Sequence, residues 1–382
     1  MSSRILYYVQ HLMGVGHVFR AMRIAGALVR AGYAVDLVYG GEPIPNFDPA
    51  GARVHHLPPV RAGTVIFNDL VDPDGNAVTE DYKTRRRTML LSVFEQGRHD
   101  AIMTEAFPFG RRQMRFELMP LLETAKRRDN RPVVIASVRD ILQENRKPGR
   151  DEETVRTLRE FFDHVLVHGD PALVTLEETF PLYRDVADMV RYTGIVAPPA
   201  PDQRASKRSE FDVIVSAGGG ALGRELLFAA AQAKPLSCLA DARWCIVSGV
   251  NFSNDDRAYL EQLAGEGVAL RTFLPDLCAA LTGAKLSISR CGYNTAADLF
   301  RSGCRSIVVP LSDGTETEQL RRAAILQAKG LAVRVDPAEQ TPQALASAID
   351  RAMALPPPDP GLIDLSGAET TARITTEILA SR

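Results

Sequence analysis

The sequence predicts a two-domain α/β protein in which each domain is built on a parallel sheet. Three observations support this prediction. The chain has 382 residues, more than a single hydrophobic core usually organises. Short apolar runs bounded by Gly and Pro alternate with longer segments of helical period, the pattern of parallel α/β units. This pattern occurs twice, and a segment rich in Pro, Ala and charge separates the two occurrences.

The first half of the chain contains apolar runs with the length and composition of buried strands. These runs are "RILYYVQ", "AVDLVYG", "RVHHLPP", "DAIMTEA", "PVVIASV" and "HVLVHG". Helical segments such as "FRAMRIAGALVRAG" lie between several of them. We therefore predict that residues 1–195 form the first domain.

The second half repeats the pattern with "FDVIVSA", "RWCIVSG", "VALRTFL", "KLSISRC", "SIVVPL" and "AVRVD" as strands. Its predicted boundaries are a linker at 196–210, within "GIVAPPAPDQRASKRSEF", and a domain at 211–355. The Pro-rich stretch "LPPPDPG" then isolates a last helix, "SGAETTARITTEILAS", so we assign 356–382 to a further linker and that helix.

The composition excludes several classes of protein. A hydrophobic content of 45%, a charged content of 24% and a net charge of −2 give no global attraction to nucleic acid or to acidic membranes. The cysteines all lie in the second half without a C-x-x-C pair, which argues against a disulfide framework or a zinc site and favours a reducing cytoplasm. No apolar run reaches the roughly 18 residues of a membrane span, and the N-terminal run is too short for a signal peptide. We expect a cytoplasmic protein.

Three strand-to-helix turns are the predicted sites of chemistry, because ligands of open α/β sheets bind outside the carboxyl ends of the strands. The first carries Gly14 and Gly16 after the first strand and delivers His17 near a helix start. The second joins Ser216 to a glycine run before a helix whose free N–H groups suit phosphate oxygens. The third runs from Ser289 to Thr295, with Asp298 expected in the first helical turn.

Each turn also has a simpler interpretation. Gly218, Gly220 and Gly223 satisfy G-x-G-x-x-G, but the acidic residue that should end the next strand of a dinucleotide site is missing. His17 could be a histidine bonded at a helix start. Thr295-x-x-Asp298 fits a capping box, with the carboxylate near the helix dipole.

Taken together, the turns resemble a known family. Gly14-x-Gly16-His17, Ser216 with its glycine run, "SRCG" from Ser289 and Glu318-Gln319 are similar to the motifs of family 28 glycosyltransferases. That family includes the peptidoglycan N-acetylglucosaminyltransferase and the monogalactosyldiacylglycerol synthases. The strings "GVGHVFR", "FPFGRR" and "SRCGYNT" resemble those of a less characterised bacterial branch.

The resemblance implies a GT-B fold, in which two Rossmann-like domains face each other across a cleft. The first domain would bind mainly the acceptor and the second the nucleotide-sugar donor, and the last helix would return to the N-terminal domain. The donor would be a UDP-sugar, a UDP-hexose or a UDP-N-acetylhexosamine, with dTDP left open. No other cofactor and no metal are implied.

The resemblance also implies a donor site. The backbone from Ser289 to Thr295 and the Ser216 loop would meet the diphosphate, Asp298 the ribose, and the segment at Phe273 the uracil edge. The usual ribose ligand is Glu, so Asp298 shortens the reach by about 1.5 Å. Glu318 and Gln319 would bind sugar hydroxyls. The implied donor-binding residues are Gly14, Gly16, Ser216, Gly218, Gly219, Gly220, Phe273, Leu274, Ser289, Arg290, Gly292, Asn294, Thr295, Asp298, Glu318 and Gln319.

The implied chemistry is transfer of the sugar to an acceptor hydroxyl with inversion and without a metal. Loop amides and helix N-termini would stabilise the leaving diphosphate. His17 is the leading general base, because an unperturbed pKa of about 6.5 suits that role. Asp140 and Glu105, which follow neighbouring strands, compete as the base or as the group that orients His17. A helix cap or a loop salt bridge would explain either carboxylate equally well.

The acceptor is left open as a lipid, a polysaccharide or a small metabolite. A basic and aromatic cluster could contact an anionic lipid headgroup or a membrane surface at the inner face of the membrane, or could be an ordinary solvated face. Its members are Phe107, Phe109, Arg111, Arg112, Arg115 and Phe116, with a further run at Arg85–Arg87. Two alternatives to a transferase remain. One is a sugar-nucleotide 2-epimerase of the same fold, but its diphosphate turn usually reads Ser-Gly-Gly-x-Gln-Glu-Glu, and "CGYNTAAD" in this chain does not fit that pattern. The other is a non-catalytic nucleotide-sugar-binding protein.

Overall fold

The computed structural model describes residues 3–12, 14, 16–44, 47–63, 69–144, 147–201, 209–218, 223–249, 252–312, 314 and 316–382. The chain divides into two compact units. Unit 1 comprises Met1–Val196 and Ser366–Arg382, and unit 2 comprises Ala197–Leu365. Each unit contains its own parallel sheet.

The main part of unit 1 follows the predicted alternation of strands and helices. Its elements are β1 (Arg4–Val9), α1 (Gly16–Arg30), β2 (Ala34–Tyr39), β3 (Arg53–His56), β4 (Arg61–Ala62), β5 (Leu70–Val71), α2 (Glu80–Gly97), β6 (Ala101–Glu105), α3 (Arg115–Lys126), β7 (Val133–Arg139), α4 (Arg150–Phe161), β8 (His164–His168) and β9 (Val190–Tyr192). A seven-stranded parallel sheet has the order β3-β2-β1-β6-β7-β8-β9, and β4 and β5 form a separate antiparallel pair.

Burial explains why the apolar runs of unit 1 become central strands. The strands β1, β6 and β7 are almost entirely buried, as expected of a parallel sheet covered on both faces by helices. Helix α1 places Ile24, Ala25 and Leu28 in the core on one face of the sheet. Helix α2 begins where the Thr79 hydroxyl accepts a 3.2 Å hydrogen bond from the Tyr82 amide, the usual role of an N-cap threonine.

The prediction that a basic and aromatic cluster is exposed to lipid is wrong for two of its members. Arg86 is fully buried and donates hydrogen bonds from Nε and Nη2 to the carboxylate of Glu117, at 2.9 and 2.7 Å. Phe107 is also fully buried, in the apolar core. A charge can enter the core when it is paired and hydrogen-bonded, and sequence adjacency to Arg85 and Arg87 gives no sign of this pairing.

Unit 2 contains a six-stranded parallel sheet in the order β12-β11-β10-β13-β14-β15. Its elements are β10 (Val213–Ser216), α5 (Arg224–Ala233), β11 (Trp244–Val247), α6 (Asn254–Leu263), β12 (Val268–Arg271), α7 (Leu277–Leu281), β13 (Leu286–Ser289), α8 (Tyr293–Ser302), β14 (Ser306–Val308), α9 (Glu318–Ala328), β15 (Val333–Arg334) and α10 (Pro342–Ala354). Each predicted strand of both halves is present, with ends shifted by up to a few residues.

The last helix, α11 (Gly367–Ala380), belongs to unit 1. Its Ala368 and Ala372 lie in the same core cluster as the α1 residue Ala25, so the predicted return of this helix to the N-terminal domain is confirmed. An antiparallel bridge pairs Val196 with Ser366 where the chain re-enters the unit. Residues 356–365, which the sequence assigned to a linker, group with unit 2.

The described part of the chain includes no helix that is both long enough and apolar enough to cross a membrane.

Candidate active site

Both sheets have a topological switch point at their centre. In unit 1, β1 pairs with β2 on one side and with β6 on the other. In unit 2, β10 pairs with β11 on one side and with β13 on the other. Ligands of open α/β sheets bind at the carboxyl ends of such strands, and the predicted site residues are found there.

At the unit 1 switch point, the structure brings His17 and Glu105 together. His17 is the second residue of α1, and Glu105 ends β6. His17 Nδ1 lies 3.1 Å from Glu105 Oε1, and the side chain of His17 is 16% exposed while that of Glu105 is fully buried. Gly14, at φ +63° with open space around its α-carbon, lies in the turn between β1 and α1, where glycine adopts this backbone conformation without strain.

Arg20, one turn along α1, completes this group. Its Nη2 donates a hydrogen bond to Glu105 Oε1 and lies 2.9 Å from His17 Nδ1. His17 Nδ1 can therefore donate to Glu105 or accept from Arg20, depending on the tautomer. Among the described residues, His17 Nε2 has no hydrogen-bond partner. In the Nδ1–H tautomer, Nε2 carries a lone pair that is available to a substrate.

The local charges keep His17 neutral and Glu105 ionised. Burial, followed by the positive charge of Arg111, holds the pKa of His17 well below its usual value. Burial alone would raise the pKa of Glu105, but the charge of Arg20 and the hydrogen bond with His17 outweigh it, so the pKa lies well below the usual range. A neutral imidazole beside a carboxylate is the protonation state that a general base requires.

Arg111 is held rigidly near this group. Its backbone is left-handed, at φ 57°, and its Nε donates a 2.8 Å hydrogen bond to the Gln10 carbonyl beyond the end of β1. Burial, followed by repulsion from Arg139, lowers the pKa of Arg111 to about 10. At neutral pH the guanidinium remains charged and opposes protonation of His17.

The structure separates the two carboxylates that the sequence ranked together. Asp140 follows β7 and is 2% exposed, and its Oδ1 accepts a 2.8 Å hydrogen bond from the Ile141 amide. The hydrogen bonds of the His17 side chain go to Glu105 and Arg20. Glu105 is therefore the carboxylate that contacts His17, and the orienting or catalytic role of each residue stays a prediction.

Sequence reasoning missed the polar groups behind Glu105. Tyr7 and Ser137 donate hydrogen bonds to Glu105 Oε2 at 2.9 and 2.7 Å. Ser137 Oγ lies 2.8 Å from His168 Nε2, and His168 Nδ1 lies 2.9 Å from Thr193 Oγ1. A signal existed, because Ser137 interrupts an otherwise apolar strand and His168 ends another, and a polar residue in a buried strand needs a partner.

In unit 2, the two predicted diphosphate turns lie side by side. Ser216 ends β10 and is paired in register with Ser289, which ends β13. The Ser216 carbonyl accepts a 3.3 Å hydrogen bond from the Arg290 amide. Gly218 has φ +82°, whereas Gly219 and Gly220 lie outside the described residues. Gly218 and the opening of α8 therefore follow the ends of neighbouring strands.

The turn before α8 differs from the capping-box interpretation. Gly292 is the N-cap, in an extended conformation, and the helix begins at Tyr293. Thr295 is thus already helical, and Asp298 lies in the second turn rather than the first. Gly292 has no side chain that could cap the helix, and the amides of a first helical turn are where anions bind. Asn294, Thr295 and Asp298 are half-buried.

Glu318 and Gln319 begin α9 and are more buried and more tightly bonded than a solvated loop would be. The Arg322 guanidinium donates a 2.8 Å hydrogen bond to Glu318, and both side chains are buried. Gln319 Oε1 accepts from the backbone amides of Cys291, at 3.0 Å, and Leu311, at 3.2 Å. Because both partners are donors, the amide orientation is fixed, and Gln319 Nε2 donates to none of the residues that the structure describes.

The remaining predicted donor residues lie at the same edge of unit 2 or support it. The Arg290 guanidinium is buried and donates to the carbonyls of Val309 and Pro310, at 3.2 and 3.3 Å, so it ties the α8 turn to the end of β14. Phe273 is 50% exposed, and Leu274 is half-buried. An exposed phenylalanine in this segment is accessible to a planar base.

The comparisons with known proteins agree with this arrangement. Residues 213–358 match the family model described as the glycosyltransferase family 28 C-terminal domain. Among solved structures, the glycotransferase of kitacinnamycin aligns over 100% of this chain and 98% of its own, with a TM-score of 0.63 and 17% identity. The Acinetobacter baumannii MurG aligns over 100% of both chains, with a TM-score of 0.58 and 15% identity.

The fold is therefore that of the GT-B glycosyltransferases. The predicted resemblance is confirmed by residues 213–358, which match the glycosyltransferase family 28 C-terminal domain. A curated relative is the UDP-N-acetylglucosamine--N-acetylmuramyl-(pentapeptide) pyrophosphoryl-undecaprenol N-acetylglucosamine transferase of Methylibium petroleiphilum. It is 30% identical over 192 residues, which cover 47% of this chain and 50% of the relative. The enzyme of the same name from Thermotoga neapolitana is 25% identical over 183 residues, 47% of this chain and 50% of its own length.

The chain thus spans about half the length of the curated relatives it matches. The matched domain family and the relatives named above are glycosyltransferases, and nothing in them supports the 2-epimerase alternative.

Proposed function

We propose that this protein is a glycosyltransferase that moves a sugar from a nucleoside diphosphate sugar to a hydroxyl group of an acceptor. The observation that carries the proposal is the pairing of Ser216 with Ser289 at the switch point of a family 28 domain. The residues that follow these two serines are Gly218 and the opening of α8. That arrangement suits a diphosphate, because helix N-termini and loop amides bind phosphate oxygens.

The proposed donor is a UDP-sugar. Asp298, in the second turn of α8, would bind the ribose hydroxyls, and the backbone at Phe273 would bind the base. Gln319 Nε2 would donate to a sugar hydroxyl, because Gln319 Oε1 is already occupied by two backbone amides. Glu318 is tied to Arg322, and its carboxylate would accept a hydrogen bond from a sugar hydroxyl.

In the proposed reaction, His17 Nε2 takes the proton of the acceptor hydroxyl. The acceptor oxygen then forms a bond to the anomeric carbon, and the bond from that carbon to the diphosphate oxygen breaks with its electron pair leaving on the nucleoside diphosphate. In-line attack inverts the anomeric configuration. Glu105 stabilises the imidazolium that forms, as the carboxylate of a triad does, and the α8 amides stabilise the departing charge.

The acceptor class remains a proposal. The names of the two curated relatives specify a pyrophosphoryl-undecaprenol acceptor, which supports a lipid-linked acceptor here and contact with the inner face of the membrane. The rigid cation Arg111, beside His17, would favour an acceptor with an anionic group.

The first experiment is a calorimetric titration with UDP, dTDP and NAD in the absence of added metal. We expect UDP to bind, and Asp298→Ala to weaken binding by tenfold or more, about 1.4 kcal/mol. Asp241→Ala is the matched control, because that exposed aspartate precedes β11 at the opposite edge of the sheet. Binding of NAD instead of UDP, or equal effects of the two substitutions, would contradict the proposed donor site.

A transferase assay then tests His17. We expect His17→Ala to abolish turnover of a UDP-sugar while the affinity for UDP stays unchanged, because His17 lies in unit 1 and the donor turns lie in unit 2. Turnover at the wild-type rate would show that His17 is not the base.

A further inference from the structure

The buried polar array behind Glu105 extends much further than a general base and its carboxylate require. Starting from Glu105, it passes through Ser137 on β7 and His168 on β8 to Thr193 beyond β9, with successive contacts of 2.7, 2.8 and 2.9 Å. Each of these residues is at most 1% exposed. Four polar side chains in a row inside an apolar sheet are costly unless each hydrogen bond is made.

Counting protons leaves two possible directions for this chain of hydrogen bonds. The Ser137 hydroxyl has one proton, which it can donate to Glu105 Oε2 at 2.7 Å, to His168 Nε2 at 2.8 Å or to the Tyr7 hydroxyl at 3.2 Å. The bond to Tyr7 is the longest and is neutral, so the first two acceptors define the two directions. If Ser137 donates to Glu105, His168 must carry its proton on Nε2 and accept the Thr193 hydroxyl proton on Nδ1. If Ser137 donates to His168, the imidazole proton sits on Nδ1 and points to Thr193, whose hydroxyl then donates to the Gly194 carbonyl, 2.9 Å away.

The two directions contain the same number of hydrogen bonds, so their strengths decide between them. The Tyr7 hydroxyl donates to Glu105 in both directions, but only in the first direction does the Ser137 hydroxyl also donate to this ionised carboxylate. A charge-assisted hydrogen bond is roughly twice as strong as a neutral one. The second direction replaces it with a neutral bond to a backbone carbonyl. The proton order Thr193 to His168 to Ser137 to Glu105 is therefore favoured.

The direction of the chain has a consequence at the other end of Glu105. With Tyr7 and Ser137 both donating to Oε2, that oxygen is fully engaged, and the carboxylate is fixed in the plane that presents Oε1 to α1. Oε1 then accepts from Arg20 and from His17 Nδ1–H. This tautomer leaves the lone pair on His17 Nε2.

We infer that His168 is a positioning residue of the active site: its Nε2–H tautomer directs the Ser137 proton to Glu105, and Glu105 in turn fixes His17 as the Nδ1–H tautomer. The inference rests on the proposed function for its effect on catalysis, but the tautomers themselves can be observed in the protein alone. No substrate needs to touch His168, Ser137 or Thr193 for this role.

The direct test is long-range 1H–15N NMR of the full chain labelled at histidine, which reports the protonated nitrogen of each ring. We expect neutral His168 with the proton on Nε2 and neutral His17 with the proton on Nδ1. A proton on His168 Nδ1 would overturn the inference whatever the protein catalyses, because the Ser137 proton would then point away from Glu105.

Substitutions of His168 test the link to His17. His168→Gln keeps an N–H donor at the position of Nε2, whereas His168→Leu removes it. We expect the His17 tautomer to stay fixed in the Gln variant and to become mixed in the Leu variant. The matched control is His99→Gln, since His99 is another buried histidine of unit 1 that bonds a carboxylate, Asp36, at 3.0 Å. A fixed His17 tautomer in His168→Leu, or a mixed one in His99→Gln, would contradict the inference.

The kinetic test uses a double-mutant cycle with Ser137→Ala. We expect His168→Leu to lower kcat by about tenfold or more, a part of what a general base contributes, with the affinity for UDP unchanged. The double variant should be no slower than either single variant, because both break the same chain. Additive losses would mean that His168 does not act through Ser137. If the wild type turns over no UDP-sugar, the proposed function fails, and the NMR result still decides the inference.

Discussion

The buried imidazole of His168 makes the stability of unit 1 depend on pH. Burial, followed by the positive charge of Arg20, lowers the pKa of His168 to about 3, whereas a histidine in the unfolded chain has a pKa of about 6.5. The folded-state value is depressed, so the neutral form is the one that folding favours. Its contribution to stability is complete above the unfolded pKa and is lost as the pH falls from about 6.5 towards about 3.

The size of the effect follows from these two values. Each pH unit below about 6.5 costs about 1.4 kcal/mol, because the unfolded chain binds a proton that the folded chain excludes. Between neutral pH and about pH 5, His168 therefore removes about 2 kcal/mol from the free energy of unfolding. Since His168 is fully buried, solvent screening does not reduce this figure. His168→Gln abolishes the titration and keeps an N–H donor to Ser137.

The assay must report on unit 1 alone. The chain has one tryptophan, Trp244, which is buried in unit 2, so its fluorescence follows the wrong unit and serves as the control. Hydrogen exchange of the β7 and β8 peptides reports the opening free energy of unit 1. Between neutral pH and about pH 5, we expect the opening free energy of unit 1 to fall by about 2 kcal/mol less in His168→Gln than in the wild type. The unfolding transition followed by Trp244 fluorescence should be the same in both proteins.

Equal losses in the wild type and in His168→Gln would refute this reasoning. That result would mean that His168 is protonated in the folded protein or is accessible to water. A change in the Trp244 transition would instead mean that the substitution acts beyond unit 1.

Three further predictions test other parts of the molecule. Arg111→Met should raise the pKa of His17 towards its usual value, because the charge of Arg111 would be gone while burial and the charge of Arg20 remain. An NMR titration of the ring measures this change. Gln319→Glu keeps an oxygen for the two backbone amides but removes the Nε2 donor, so UDP affinity should hold while UDP-sugar turnover falls about tenfold, or 1.4 kcal/mol; a loss of UDP affinity would contradict the assigned role. Gly367→Ala should destabilise unit 1 by about 1–3 kcal/mol, because the added Cβ would lie 2.5 Å from a backbone carbonyl oxygen. Gly265→Ala should have no such effect, because a Cβ there meets nothing within 4 Å. Hydrogen exchange of α11 measures the difference between the two variants.

Most of the fold could be predicted, because fully buried parallel strands appear as apolar runs. The runs that became β1, β6 and β10 are almost continuous hydrophobic segments bounded by turn residues. The sequence did not predict β9 or the β4 and β5 pair, which are only two or three residues long. The equally short β14 and β15 were predicted because the runs "SIVVPL" and "AVRVD" surround them.

The errors of sequence reasoning have local physical causes. The capping box at Thr295 failed because Gly292, three residues earlier, has an extended backbone that starts the helix. The basic run failed because Arg86 has a buried partner, Glu117, that lies far away in the sequence. In both cases the competing interaction is invisible until the backbone path is known.

Sheet order decides which carboxylate reaches His17, and sequence reasoning could not supply that order. Adjacent strands are about 4.8 Å apart. Glu105 ends β6, which pairs with β1, whereas Asp140 follows β7, about 10 Å from β1. Both carboxylates follow a strand and precede a helix or loop, so their sequence contexts are alike. We therefore expect Glu105→Gln to change the His17 tautomer in the NMR spectrum and Asp140→Asn to leave it unchanged. The opposite result would mean that Asp140 orients the base, despite the hydrogen bond between His17 and Glu105.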